Sequence, residues 1–280
     1  MSDTSVRIGC SGYPVDRKRY QEALDFVELQ DTRRALPKPE KFSRMRMSAV
    51  PGFRFALVAP EALSDPEQAG DLKGDPRGYG AMRPTPENIA LLERTVAAAL
   101  RLDAIVRLHT TPDLGAGPDA FERFRALFAA VDRRGVTFAW ESRGVLTAKE
   151  IIHWAEQLDL VPVVDPFQDE APSGPLGYIR IHTLMTLTGN LHEDHYLKIL
   201  QRAARHTEAV VVFDTPNAFR DAVTLRHLLA GAPVAPVDDE PAAADDDEEE
   251  DEDAEDAADA ADDDDADDAD DDDDEAPAET

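Results

Sequence analysis

The chain has 280 residues, long enough for one large domain or two small ones. It carries 59 Asp and Glu against 29 Lys and Arg, a formal charge of −30, but 28 of those acids fall in residues 237–280, which hold no Lys or Arg. Residues 1–236 are therefore nearly neutral, which excludes a globally basic nucleic-acid binder and detaches the acidity from the fold.

Cys10 is the single cysteine. It rules out an intrachain disulfide and suits a reducing compartment. The opening MSDTSVRIGCSG has neither the basic nor the apolar region of a secretory signal. No run approaches 18 apolar residues, so no membrane span is expected. The expected location is cytoplasmic.

Eight short runs rich in β-branched or aromatic residues read as strands: Val6–Cys10, Phe26–Gln30, Phe53–Val58, Ala104–His109, Val136–Glu141, Leu160–Asp165, Tyr178–His182 and Val210–Asp214. Amphipathic stretches lie between them. Faint helices are expected near Asp16–Leu24 and Glu40–Ser48. The segment Pro60–Pro86 reads as a long loop, either a lid or a plain insertion. Ile89, Leu92, Val96 and Leu100 keep helical spacing, as do Phe121, Phe124, Phe128 and Val131. Thr147 and Glu150 form a capping-box pattern ahead of Ile151, Trp154 and Leu158. Between Asp165 and Tyr178 there is room only for a loop or one turn. Tyr196, Ile199, Leu200 and Ala203 mark a further helix. Thr215–Pro216 reads as an N-cap and first-turn proline opening a helix through Leu229.

Eight strands in βα alternation over residues 1–236 predict an α/β fold, a (β/α)8 TIM barrel. A doubly wound open sheet is the alternative, but no GxGxxG follows the first strand. Residues 237–280 are Asp, Glu and Ala with little else. They cannot bury enough apolar surface to offset ordering, so a disordered acidic tail is expected. It reads as a solubilising brush, or as bait for a basic protein partner; direct nucleic-acid binding by it is not expected.

Several strands stay apolar until their C-terminal ends and then become charged. With a period of two, Arg107 and His109 share a face, as do Glu141 and Arg143, Arg180 and His182, and Glu28 and Gln30. Asp165 and Asp214 end two further strands. In a closed barrel these ends form the rim that carries chemistry. Glu28, Glu141, Asp165 and His182 are the candidate catalytic group, the carboxylates and imidazole being suited to acid–base or hydrolytic work. Arg107, His109, Arg143, Arg180 and Asp214 are candidate ligand-binding residues. The alternative is an ion network that only closes the barrel end. The acids and His182 are also metal-ligand types. The interleaved arginines, however, favour an anionic or carboxylate-bearing ligand over a cation, so no metal or cofactor is assigned. The GCSG turn adds Gly9, Ser11 and Gly12, whose amides suit either a tight turn or an anion cradle. Neither Cys10 nor Ser11 has a nucleophile signature.

The segments RIGCSGY, FVEL, FRFALVAP, Glu141–Arg143, VVDP, YIRIH and VVVFDTPNAFRDAVTL, in this order, resemble the YecE-like family, domain of unknown function number 72, over roughly residues 6–230. The resemblance implies a TIM barrel, distantly similar to endonuclease IV and xylose isomerase types, and brings no established activity with it. Gly9, Ser11, Gly12, Glu28, Glu141, Arg143, Asp165, Tyr178, Arg180 and His182 match the family pattern. Departures are QDTRR after Glu28, where aromatics are usual, Val58 for a lysine, Arg107 for a glutamine, His109–Pro112 for a proline-rich turn, and Asp214–Thr215 for asparagines. The expectation is an enzyme binding a small polar or anionic substrate at the rim. The alternative is a non-catalytic ligand-binding or adaptor protein whose tail recruits a basic partner.

Overall fold

The structure is a computed structural model that describes residues 4–70, 72–167, 174–182 and 191–231. The acidic tail expected over 237–280 lies outside the described residues. Among these residues the chain forms eight strands and seven α-helices: β1 (Ser5–Ser11), α1 (Arg17–Ala23), β2 (Phe26–Leu29), α2 (Pro39–Ser48), β3 (Arg54–Val58), α3 (Pro86–Leu102), β4 (Ala104–Thr110), α4 (Pro118–Ala129), β5 (Phe138–Ser142), α5 (Ala148–Leu158), β6 (Val161–Val164), β7 (Gly174–His182), α6 (Glu193–Ala203), β8 (His206–Asp214) and α7 (Ala218–Leu229). The strands pair in parallel in sequence order, and β8 returns to β1. This is the closed TIM barrel that the βα alternation predicts. No helix among the described residues is long and apolar enough to cross a membrane.

Helix ends follow local chemistry. The Thr147 hydroxyl accepts from the Glu150 amide while Glu150 reaches back to the Thr147 amide, so the capping box opens α5 as expected. Thr85 caps α3 with Pro86 in its first turn. The last helix differs from expectation. It opens at Ala218, with Asn217 before it, rather than at Thr215–Pro216. The Thr215 hydroxyl instead donates to the buried carboxylate of Asp221, 2.9 Å away, so it ties the turn to the helix it was expected to cap. Strands β7 and β8 each begin four residues before the expected start. They pair with each other from Gly174–His206 to His182–Asp214, and backbone pairing carries them past the limits of their apolar runs.

Two apolar layers hold the barrel. The outer one lies between sheet and helices and includes Ile8, Cys10, Tyr20, Leu57, Phe124, Trp140 and Phe213. The inner one fills the barrel axis with Phe26, Ala56, Ala139, Tyr178, Val210 and Val212. Large and small side chains alternate in it: the Phe26 and Tyr178 rings meet edge to face at 6.4 Å, and alanines stand on β3 and β5. Gly9 belongs to the same arrangement. A Cβ there would lie 2.0 Å from the Phe26 carbonyl oxygen, which is backbone and cannot swing aside. Gly9→Ala is therefore expected to lower the unfolding free energy by about 1–3 kcal/mol through overpacking. Urea denaturation checks this, and an unchanged midpoint would show that the β1–β2 spacing yields freely.

Candidate functional site

Along the inward faces of the strands, apolar residues give way to charged ones. Phe26 is followed by Glu28 on β2, Ala139 by Glu141 on β5, Tyr178 by Arg180 and His182 on β7, and Val212 by Asp214 on β8. The period of two sets this order. Each step moves a side chain one layer toward the strand C-termini.

Glu28 lies deepest and is fully buried. Its Oε2 accepts from the Tyr178 hydroxyl at 2.7 Å, and its Oε1 accepts from Gln30 Nε2 at 2.6 Å and from Arg180 Nε at 3.2 Å. Arg107 Nε stands 3.0 Å from Oε2, near enough for strong attraction but out of line for a hydrogen bond. Arg107 Nη1 also donates to Glu141 Oε2. Glu141 Oε1 accepts from Arg143 Nε at 2.9 Å, and Arg180 Nη1 lies 3.8 Å from Glu141 Oε2. Arg180 Nη2 then donates to Asp214 Oδ2 at 2.8 Å and reaches Ser11 Oγ at 3.5 Å. Thus two buried guanidiniums tie together carboxylates from β2, β5 and β8.

His182 closes the network at its outer edge. Its Nε2 is 3.4 Å from Glu141 Oε1 and its Nδ1 is 3.5 Å from Asp214 Oδ2. The side chain is 29% exposed, and that of Asp214 is 41% exposed, so this layer meets solvent. Hydrogen bonding to Asp214 and to Glu141 raises the imidazole pKa above its ordinary value, against burial and the Arg180 charge. Burial alone would raise the Asp214 carboxyl, but the His182 hydrogen bond, Arg180 and Ser11 outweigh it and hold it at about 2. Burial likewise opposes ionisation of Glu141, yet His182 and the arginines Arg107, Arg180 and Arg143 keep it well below the usual carboxylate range.

The remaining predicted residues are placed differently. Asp165 follows β6, and its Oδ1 accepts from the Phe167 amide at 2.8 Å, fixing the turn. The amide of Gly12 donates to the Glu28 carbonyl at 2.8 Å, and that of Cys10 to the Tyr20 hydroxyl at 2.7 Å. The turn thus spends these two amides on its own structure, while Gly9 serves packing. Cys10 faces the outer layer, where burial pushes its thiol up to about 12. His109 sits on the inward face with Arg107, but its partner is Glu61, whose Oε1 lies 2.9 Å from Nε2. Glu61 and its second partner, Arg33, were not singled out in the sequence. They stand in single 3-10 turns after β3 and β2, Glu61–Leu63 and Asp31–Arg33, where no strand period marks a face. Tyr178 enters the sequence reading through the family resemblance, and the strand period sets its place on the inward face two residues before Arg180.

Among the described residues, no group of three or more His, Cys, Asp or Glu side chains is placed to hold a metal ion. A cleft of about 790 Å³ opens at the other end of the barrel, lined by Arg133, Val161, Leu176 and His206 near the strand N-termini. Its nearest ion pair, Arg133 with Asp159, stands at the C-terminus of α5, where Arg133 also binds the last carbonyls. The titratable groups converge at the opposite end, which is where barrels of this kind carry their chemistry.

This barrel matches solved structures. A DUF72 family protein from Enterococcus faecalis aligns with a TM-score of 0.59 at 13% identity, over 83% of this chain and 100% of the other. The chain has the DUF72 fold. A DUF72 family protein from Thermotoga maritima gives a TM-score of 0.56 at 14% identity, over 81% of this chain and 99% of that one. A D-tagatose 3-epimerase-like protein shares the barrel at a TM-score of 0.51 and 12% identity, over 80% and 96% of the two chains. No protein-family model matches the chain, and no curated protein does. At such identities the likeness is one of fold, so the DUF72 comparison leaves the chemistry to be argued from the rim.

The rim makes a titration prediction. Because His182 gains partners on folding, its contribution to stability is complete below the unfolded histidine value. That contribution is lost as pH rises through the higher native value. Asp214 behaves oppositely: its contribution is complete above the ordinary carboxyl range and is lost as pH falls through about 2. Side-chain NMR titration should therefore show His182 above 6.5, and Asp214→Asn should bring it down. A wild-type value at or below 6.5, or one indifferent to Asp214→Asn, would contradict the bridge between the two carboxylates.

Proposed function

We propose that the protein is an enzyme that binds a small polar or anionic molecule at the strand C-terminal mouth and transfers protons to or from it through His182. The observation that carries this reading is the placement of His182. It is a solvent-reachable imidazole held between two carboxylates, Glu141 and Asp214, that stay ionised. Hydrogen bonds to these carboxylates raise the proton affinity of the ring above that of an ordinary histidine, even with Arg180 Nη1 2.9 Å from Nδ1, and the flanking charges steady the ring when it takes a proton.

The other residues divide the work by exposure. Arg143, 45% exposed, spends its Nε on Glu141. A guanidinium has four further N–H donors, which suit a carboxylate or phosphate group on the ligand. Arg180 supports the same charge from below. Glu28, saturated by Tyr178, Gln30 and Arg180, acts by positioning Arg107 and Arg180 rather than by proton transfer. Asp214 is the immediate partner of both His182 and Arg180.

Incubating the full-length protein with a soluble metabolite extract and following each species by mass spectrometry tests this. A metabolite should be consumed, and His182→Asn should slow its turnover by about 10²–10⁴-fold, the usual contribution of a positioned acid or base. No consumption by the wild type, or equal turnover by the variant, would overturn the reading.

A further inference from the structure

Gln30 stands two residues beyond Glu28, where β2 gives way to the 3-10 turn Asp31–Arg33. Its Nε2 donates to Glu28 Oε1 at 2.6 Å, the oxygen that also accepts from Arg180 Nε at 3.2 Å. That bond draws the Gln30 amide over the barrel axis, above the buried carboxylate. A carboxylate held between Arg107 and Arg180 only accepts, so the nitrogen of the amide must face Glu28 and the oxygen must face away from it. Gln30 Oε1 has no hydrogen-bond partner among the described residues. The residue is half-buried, and this oxygen is not sealed from solvent. The mouth therefore holds a carbonyl oxygen that is oriented, reachable and uncommitted. The nearest carboxylate offers no alternative, because Glu28 Oε2 accepts from the Tyr178 hydroxyl and faces Arg107 Nε.

We propose that Gln30 Oε1 accepts a hydrogen bond from a hydroxyl group of the bound molecule. This rests on the reading above and narrows it: the ligand joins a carboxylate or phosphate, taken by Arg143, to a hydroxyl taken by Gln30. The acceptor is fixed before the ligand arrives, because turning the amide over would set its oxygen against the Glu28 carboxylate. An acceptor already held in place needs no further ordering on binding. The donor is a hydroxyl and not an ammonium. An ammonium that leaves water needs acceptors for three N–H groups, and both oxygens of Glu28 beside Gln30 are already engaged. A hydroxyl needs only the one acceptor that Gln30 offers.

The test walks a hydroxyl along short anionic probes, because β2 and β5, which carry Gln30 and Arg143 at their ends, stand three strands apart in the closed barrel. NMR titration of the full-length protein compares 2-, 3- and 4-hydroxybutyrate with butyrate, and glycerol 3-phosphate with propyl phosphate. At least one hydroxylated probe should bind about two- to tenfold more tightly than its deoxy partner, the range for one net hydrogen bond. That probe should also shift the side-chain carbonyl carbon of Gln30 more than its deoxy partner does, a reading that comes from the unaltered protein and does not depend on a variant folding. Gln30→Met should abolish the preference while leaving the deoxy probe within about twofold. Equal affinity throughout both sets, a preference that survives in Gln30→Met, or a carbonyl carbon that responds alike to hydroxylated and deoxy probes would overturn the inference while leaving the His182 turnover test standing. Failure of every probe to bind would overturn the inference together with the anion-binding reading beneath it.

Discussion

A single carboxylate without access to water sets the terms for the upper half of this barrel. Glu28 is buried at the axis, and moving such an ion out of water costs several kcal/mol even after relaxation. Only close hydrogen-bonding and oppositely charged partners offset that cost. Tyr178, Gln30, Arg107 and Arg180 provide them, and each arginine then needs a second anion. Arg107 finds Glu141, and Arg180 finds Asp214. The chain of compensation runs outward from the axis until it meets solvent at His182 and Arg143. Pairing thus begins as a packing requirement and ends as an ordered, charged mouth.

The lower half makes this possible. Phe26, Ala56, Ala139, Tyr178, Val210 and Val212 form a dry floor beneath Glu28. Tyr178 belongs to both layers, its ring packed on Phe26 and its hydroxyl on the carboxylate. A floor of low polarity strengthens every charge interaction above it.

Much of this was legible in the sequence because strand periodicity and burial coincide. The alternation in YIRIH and IVRLH by itself places Arg180 with His182 and Arg107 with His109. Backbone pairing, by contrast, leaves no trace in hydropathy, so the starts of β7 and β8 at Gly174 and His206 cannot be read from their apolar runs. Thr215 looked like a cap because the residue type suits one, but Asp221 competes for its hydroxyl. Glu61 and Arg33 are hidden for a different reason: they come from single 3-10 turns too short for sequence spacing to carry a direction. Val58, where that resemblance implies a lysine, pairs in register with Arg107, where it implies a glutamine. Arg107 Nε lies 3.0 Å from Glu28 Oε2, so this chain places a positive charge beside Glu28 from β4.

The most direct test is a double-mutant cycle between Glu28→Gln and Arg180→Met, read by urea denaturation at neutral pH. If the axial carboxylate organises the network, each single change leaves the other partner buried and under-compensated. The double variant should then lose less stability than the two single losses together, with a coupling of about 1–3 kcal/mol. Additive losses would contradict the account, since they would mean that the two side chains stabilise the barrel independently.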